Sequence, residues 1–522
     1  MMAEYKTGLN PILPLWEYIP DGEPHVFGDR IYLFGSHDVE GGTRYCQAGN
    51  YVCWSAPLAD PTHWQCEGVI YENRQDPLFR EGITLDLYAP DVVQGNDGRF
   101  YLYYNPVTND DAASFHNQIS VAVSDTPAGH YEYLGFVRHP DGSRYNTYLM
   151  ADPAVINDDG VIRLYCGWSL SMVAATAHRQ GQAGGSASAG SRAAMLPKAG
   201  DPEMNRKLAP IYQMIFKRTA DQVADLDYPL MGANTLELDD DMMTVRSPIK
   251  RIVPGQFDAT EESGFKGHAF YEASSIRKIN SLYYFIYSSE NSHEMCYATS
   301  RYPDRDFVYG GTIISNGDIG YQGRKPEDRL NQTANDHGSL ECVNGQWYIF
   351  HHRQTHRSTF SRQACAEKVT ILPDGSIPQV RCTSMGLHDG PLPAEGTYPA
   401  PCCCVLTNGH MPHITNTAAD EDIPCITNSG DERFIANIKD GIKIGYRYFM
   451  FNYPVILEIT IASTREATME IWNETSKVGE IKIPASDEWL SASTTLDLHG
   501  QSPLYLTYRG KGEGRLLSLK FA

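Results

Sequence analysis

A strand pattern that recurs along the chain limits its fold more than any other feature. A Gly28-Asp29 turn leads into Arg30-Ile31-Tyr32-Leu33-Phe34. Asp97-Gly98-Arg99-Phe100-Tyr101-Leu102-Tyr103-Tyr104 repeats the arrangement, and so does Asp159-Gly160-Val161-Ile162-Arg163-Leu164-Tyr165. Ile279-Asn280-Ser281-Leu282-Tyr283-Tyr284-Phe285 and Val343-Asn344-Gly345-Gln346-Trp347-Tyr348-Ile349-Phe350 complete the set. Most copies read as a tight turn feeding a β-strand with aromatic residues on its pleat. Repetition of one four-stranded unit points to a β-propeller. Tyr32, Tyr101, Tyr165, Tyr284 and Tyr348 fall roughly one blade apart, except for one double-length gap after Tyr165. The predicted fold is therefore all-β, a five-bladed β-propeller with a helical insertion in that gap.

A chain of 522 residues is too long for one ordinary core, so at least two domains are expected. The propeller is assigned to residues 1–385, with the insertion at about 169–227. Residues 180–191 are small and read as flexible. Asp201-Pro202-Glu203 then looks like a helix start, followed by Leu208, Ile211, Ile215 and Phe216 at helical spacing. Pro210 falls among them, so the helix is expected to be kinked or split. The insertion should lie over a face or edge of the propeller. Asn10-Pro11-Ile12-Leu13-Pro14, broken by prolines, should run extended across the propeller face or close its ring. The pattern changes near Gly386-Leu387-His388, and residues 420–522 read as a separate module. Its short alternating runs at 456–461, 467–472, 503–508 and 516–521 suggest a β-sandwich.

Charge and cysteine usage narrow the function. A formal net charge of −21 repels a phosphate backbone, which argues against a nucleic-acid partner. No apolar run reaches the roughly 20 residues of a spanning helix, so no membrane partner is expected. Met1-Met2-Ala3-Glu4-Tyr5-Lys6 lacks the apolar core of a signal peptide. The 12 cysteines show no zinc spacing, and Cys402-Cys403-Cys404 is a run rather than a pair. They read as free thiols of a cytoplasmic protein, the alternative being a secretion signal already removed.

Three carboxylates are candidates for chemistry: Asp21, Asp152 and Glu272. Each lies shortly before a strand repeat, at a similar place in its blade, and such positions gather near a propeller axis. Asp91, before Tyr101, is a fourth member. Glycoside hydrolysis needs a carboxylic acid to protonate the leaving oxygen and a carboxylate opposite it. A further carboxylate nearby raises the pKa of the acid by like-charge repulsion. A single acid before a proline or turn more often caps a loop, but three in register with a repeat favour chemistry.

At this point a family likeness emerges. It is carried by the stretch from Pro20 to Tyr32, Ala89-Pro90-Asp91, Asp152-Pro153-Ala154-Val155, Tyr271-Glu272-Ala273-Ser274 and Asn335-Asp336-His337-Gly338-Ser339. With these motifs in this order, residues 8–380 resemble a family 43 glycoside hydrolase of the branch containing β-xylosidases and α-L-arabinofuranosidases. The resemblance implies an inverting enzyme acting on plant cell-wall oligosaccharides, with Asp21 as general base, Glu272 as general acid and Asp152 tuning the pKa. Many members have Asp-Pro at the base, whereas Gly22 follows Asp21 and Glu23-Pro24 comes next; counting back from Gly28-Asp29 favours Asp21 over Glu23. His337 resembles an axial histidine near which many members bind structural calcium, often through water. Calcium prefers oxygen ligands, so a hydrogen-bonded core histidine is the competing reading. Arg353 resembles a substrate-side arginine, with a structural ion pair as the alternative; together with Asp91 it is assigned to substrate binding. The C-terminal module resembles a family 6-type carbohydrate-binding sandwich through Gly445-Tyr446-Arg447-Tyr448-Phe449 and Leu504-Tyr505-Leu506-Thr507-Tyr508. Its aromatic residues, among them Trp472, suit a core more than a sugar platform. A non-catalytic sugar-binding propeller and a scaffold for protein partners are the competing functions, and neither needs a central acidic triad.

Overall fold

Each turn singled out in the sequence joins the first and second strands of a sheet. Asp159-Gly160 and Asn344-Gly345 have positive φ at both residues (54° and 90°, 52° and 82°), the twist that a two-residue hairpin turn requires. The structure, a computed structural model, describes residues 7–109, 115–171, 201, 203–413 and 423–522. Successive antiparallel strands form five sheets before residue 370. The first holds β1 (Glu23–Phe27), β2 (Arg30–Phe34), β3 (Asn50–Pro57) and β4 (Gln65–Glu72). The second holds β5 (Leu85–Gln94), β6 (Phe100–Thr108), β7 (Ser120–Ser124) and β8 (Glu132–Phe136). The third comprises β9 (Ala154–Asp158), β10 (Val161–Trp168), β11 (Gly232–Leu238) and β12 (Lys250–Pro254). The fourth comprises β13 (Phe270–Ile279), β14 (Leu282–Ser289), β15 (Glu294–Ser300) and β16 (Val308–Ser315). The fifth has three strands, β17 (Leu340–Val343), β18 (Gln346–Gln354) and β19 (Arg362–Val369).

Apolar faces close these sheets into a ring. Phe34 and Tyr51 of the first sheet pack with Leu87 and Leu102 of the second. Tyr101 and Val121 meet Leu164 and Leu236 of the third, and Tyr165 meets Phe270 and Phe285 of the fourth. Ile286 and Met295 then meet Ile349 and Val369 of the fifth. Tyr348, Phe350 and Ala364 of the fifth return to Ile31, Leu33 and Trp54 of the first. Burying these surfaces is the main force holding the sheets together. The first strands stand side by side at the centre, β1 against β5 and β17, β5 against β9, and β9 against β13. The N-terminal segment adjoins the open edge of β19, where Ile12 N–H donates to Ala364 O (2.9 Å) and Asn10 exchanges hydrogen bonds with Ala366.

The insertion enters inside the third sheet, between β10 and β11. It contains helices α1 (Met204–Phe216) and α2 (Ala220–Ala224). The Gly- and Ser-rich residues 180–191 lie outside the described residues. Of the two expectations, a kinked or a split helix, the split does not occur: α1 continues through Pro210. Proline removes a helix hydrogen bond, but Leu208, Tyr212 and Phe216 are buried against Leu149, Met231 and Phe257, which offsets the loss. Phe216 also packs against Trp168 at 5.6 Å between ring centroids.

The C-terminal residues form two six-stranded sheets around one core that includes Ile435, Phe449, Ile459, Leu506 and Phe521. Short strands Leu392–Pro393, Gly396–Pro399 and Val405–Thr407, upstream of the boundary near 420 read from sequence, pair with these sheets. Within the motif Gly445-Tyr446-Arg447-Tyr448-Phe449, Tyr446 and Phe449 are core residues, and the Arg447 Nη1 reaches Asp318 Oδ2 of the ring at 2.6 Å. All 12 cysteines are free thiols. Among the described residues, no helix is long and apolar enough to cross a membrane.

Candidate active site

The carboxylates are presented by irregular backbone at the entry to the central strands. Asp21, Ala89, Asp152 and Ala273 all have positive φ (56°, 36°, 46° and 67°), a region that non-glycine residues seldom occupy. The β5–β6 register slips between Tyr88 and Asp91, and the β13–β14 register slips on both sides of Glu272. Such bulges re-aim side chains next to functional sites. Asp21, Asp152 and Glu272 consequently line one cavity of about 340 Å³, with Tyr45, Tyr88, Phe115, Trp168 and Tyr271 as aromatic walls. Asn335, His337 and Arg362 add to its polar lining, with Ser171 and Ser292. Glu23, the other acid of the entry turn, bonds Ser275 and Arg277 instead and is not in this lining.

The surroundings drive the carboxyl groups in different directions. Burial works to raise the Asp21 carboxyl, but Arg362, and after it His337 and His352, hold it below the usual carboxylate value. Arg362 Nη1 lies 2.8 Å from Asp21 Oδ1, while its Nε and Nη2 grip Asp38 at 2.8 and 3.0 Å. Glu272 is pushed up to about 7, by burial first and by the charge of Asp21 next. Trp168 Nε1 and Asn335 Nδ2 donate to its two oxygens at 3.2 and 3.3 Å and resist that rise. Asp152 is raised by burial and by repulsion from Glu272. The pair therefore retains a proton that isolated carboxylates would lose near neutrality. Asp152 is held by its N–H donating to Asn105 Oδ1 (2.7 Å), and Ala273 N–H donates to Asp152 Oδ2 (2.8 Å). One group poised as an acid and another kept ionised is the equipment of acid–base catalysis.

Other residues proposed from sequence sit elsewhere. Asp91 does not line the cavity; its Oδ2 accepts from Val155 N–H and its Oδ1 from Val92 N–H, tying β5 to β9, and His25 Nε2 lies 2.7 Å from it. Arg353 points to the opposite face of β18, donating to Cys365 Sγ and Cys403 O. The arginine in the cavity is Arg362. In the β18–β19 register Arg353 pairs with Gln363 and Arg362 with Gln354, so the two arginines occupy opposite faces. Asn105, Trp168 and Asn335 were also not singled out as site residues, although Asn335 stands in a quoted motif.

His337 lines the cavity, with Nδ1 3.7 Å from Asp21 Oδ1, and burial pushes its pKa down to about 4. Calcium takes about six to eight oxygen ligands. Among the described residues, the carboxylate nearest His337 is Asp21, already paired with Arg362, and no cluster of candidate ligands includes His337. The residues around His337 do not fit a directly held calcium ion. Glu23, His25 and Asp91 do converge nearby, but Arg277 Nη2 lies 3.1 Å from Glu23 Oε2 and supplies the positive charge there.

No family model matches the chain. A xylosidase/arabinosidase of Thermoclostridium stercorarium is 39% identical over 534 residues, covering 98% of both chains. Xylosidase/arabinosidase 43A of Humicola insolens is 27% identical, over 64% of this chain and 88% of its own length. The protein is a glycosidase. Among solved structures, a GH43 β-xylosidase/α-arabinofuranosidase from a compost microbial metagenome has 24% identity and a TM-score of 0.47, covering 72% of this chain and 98% of its own. The chain belongs to the xylosidase/arabinosidase group of glycoside hydrolase family 43.

Proposed function

We propose that this enzyme is an inverting glycosidase that removes terminal arabinofuranosyl or xylosyl residues from hemicellulose-derived oligosaccharides. The observation that carries the proposal is the opposite tuning of Asp21 and Glu272 in one cavity. Asp21, kept ionised by Arg362, would take the proton of the attacking water. Glu272, still protonated near neutrality, would pass its proton to the departing glycosidic oxygen. Asp152 would modulate Glu272 through the repulsion they share. Inversion completes this exchange in one displacement, with water and leaving group on opposite faces of the sugar ring. Aromatic walls such as Trp168 and Tyr88 give the apolar face of a sugar a surface to stack on. The names of the curated relatives, which pair xylosidase with arabinosidase, favour pentosyl substrates. We also infer that the five closed sheets are the blades of a five-bladed propeller and the two C-terminal sheets a β-sandwich, with the insertion within the third blade. A panel of aryl β-xylosides and α-L-arabinofuranosides, with the first-formed product followed by NMR, tests the function. An inverted anomer on either pentoside is the expected result. A retained anomer refutes inversion, and binding without turnover on all of them leaves a sugar-binding propeller instead.

A further inference from the structure

We propose that the protein holds a buried transition-metal ion, with Zn²⁺ best suited, between His351, Glu367 and Cys382. The cluster lies away from the acidic cavity, on the face of the fifth sheet turned from the first sheet. His351 on β18 pairs in register with Cys365 on β19, and Glu367 follows two residues later on that face. Cys382 arrives from the segment after β19. A ring nitrogen, a carboxylate oxygen and the sulfur lie within 4.8 Å of one another, and all three residues are buried. Zinc bonds of about 2.0–2.3 Å set tetrahedral ligands roughly 3.5 Å apart, so a small closure of the three side chains suffices.

An independent observation points to a ligand. Neither ring nitrogen of His351 has a hydrogen-bond partner, although the residue is only 2% exposed. Its Nδ1 faces Asp336 Oδ2 at 3.4 Å without hydrogen-bond geometry, and that oxygen is also unpartnered. Buried polar atoms left this way are costly and uncommon. A metal on one ring nitrogen, with Asp336 accepting from the other, satisfies all three atoms. A carboxylate behind a liganding imidazole is the usual means of fixing its tautomer and orientation.

The donors suit zinc in kind and charge. Sulfur disfavours calcium and magnesium, whereas thiolate with imidazole selects zinc and similar ions. One thiolate and one carboxylate balance the charge of a divalent cation, and the Cys382 thiol gives up its proton on binding; the buried Arg353 guanidinium stays beside the site and helps to keep both donors anionic. Glu367 Oε1 accepts from Asn10 Nδ2 and Thr383 N–H, whereas Oε2 accepts only from Thr383 Oγ1 and keeps a lone pair for the metal. The cluster of His268, Glu294 and Cys296 differs in its histidine, which is only partly buried and already has its Nδ1 2.7 Å from Glu294 Oε1. The metal would brace the catalytic region as well. Asp336 Oδ1 accepts the N–H groups of His337 and His352 (3.0 and 3.1 Å), and His352 Nδ1 accepts the N–H of Asp21 (3.2 Å).

The test is metal content and thermal stability of the untagged full chain, expressed in zinc-supplemented medium and purified without chelator. Wild type and Glu272→Ala should each carry about one zinc per chain by mass spectrometry of the elements. Cys382→Ser, close in volume but without the soft ligand, should lose it. Dipicolinate should lower the Tm of wild type by several degrees and leave that of Cys382→Ser unmoved. A metal-free wild type whose Tm does not rise with added Zn²⁺ overturns the proposal. So does a Cys382→Ser variant that retains the full zinc content, because the ion then lies elsewhere.

Discussion

Arg362→Met removes the cation that two buried carboxylates share. Arg362, Asp21 and Asp38 are 2%, 4% and 2% exposed, and the guanidinium reaches both acids within 3.0 Å. Breaking a buried ion pair by deleting one partner costs about 3–5 kcal/mol. The variant limits that cost by protonating Asp21. A unit charge near 4 Å is worth about 4 kcal/mol at an effective dielectric of about 20, and each pKa unit corresponds to about 1.4 kcal/mol. The Asp21 carboxyl should therefore rise by about two to three units. Because kcat/KM reports groups of the free enzyme, its acid limb should move to higher pH by a similar amount on an activated aryl glycoside. Stability follows the same linkage. The lowered pKa of Asp21 stabilises wild type above the ordinary carboxylate range, and this stabilisation is lost as pH falls through the folded-state value. The stability gap between wild type and variant should thus be widest near neutrality and narrow in acid. Arg362→Met with Asp38→Asn should recover part of the stability and leave the acid limb displaced. A folded Arg362→Met enzyme whose acid limb stays within about 0.3 unit of wild type refutes both the tuning by Arg362 and the role of Asp21 as base.

Glu272→Ala should lose roughly 10²–10⁴-fold in kcat/KM on natural oligosaccharides, but far less on a dinitrophenyl glycoside, whose leaving group needs no proton; Asp21→Ala should lose activity on both. Equal losses of Glu272→Ala on the two substrates would reverse the assignment. Asp152→Asn removes the carboxyl that shares a proton and repulsion with Glu272, so the basic limb of the pH–rate profile should move to lower pH, and an unmoved limb excludes Asp152 as modulator. Trp168→Phe removes the indole donor that stabilises ionised Glu272, so it should move the same limb the other way, to higher pH; a downward shift would show that the indole acts by some other route.

Much of the architecture was legible because it rests on local signals. Tyr32, Tyr101, Tyr165, Tyr284 and Tyr348 all fall on the second strand of their sheets, directly after the turns that announced them. The three candidate acids stood out for the same reason, since each sits seven or eight residues before such a turn. The substrate-side arginine was not. Arg353 and Arg362 both lie on the arms of one hairpin, and which arm faces the cavity depends on the parity of pairing between β18 and β19. A one-residue difference in register exchanges the faces, and no local pattern encodes it.

The sequence by itself determined the repeated turn-and-strand unit, the all-β class, and the acids that enter the first, third and fourth sheets, because turn chemistry and alternation are properties of a few adjacent residues. Tertiary structure alone decided that residues 392–407 join the C-terminal sheets, that α1 survives Pro210, and that Asp91 braces two strands rather than facing the cavity. It also brought His351, Glu367 and Cys382 together although their cysteine spacing suggested no metal site. The opposite pKa shifts of Asp21, lowered, and of Asp152 and Glu272, raised, belong to the same class. They arise from burial and from charges such as Arg362, more than 300 residues from Asp21 in sequence, and Coulomb interactions depend on distance in space, not along the chain.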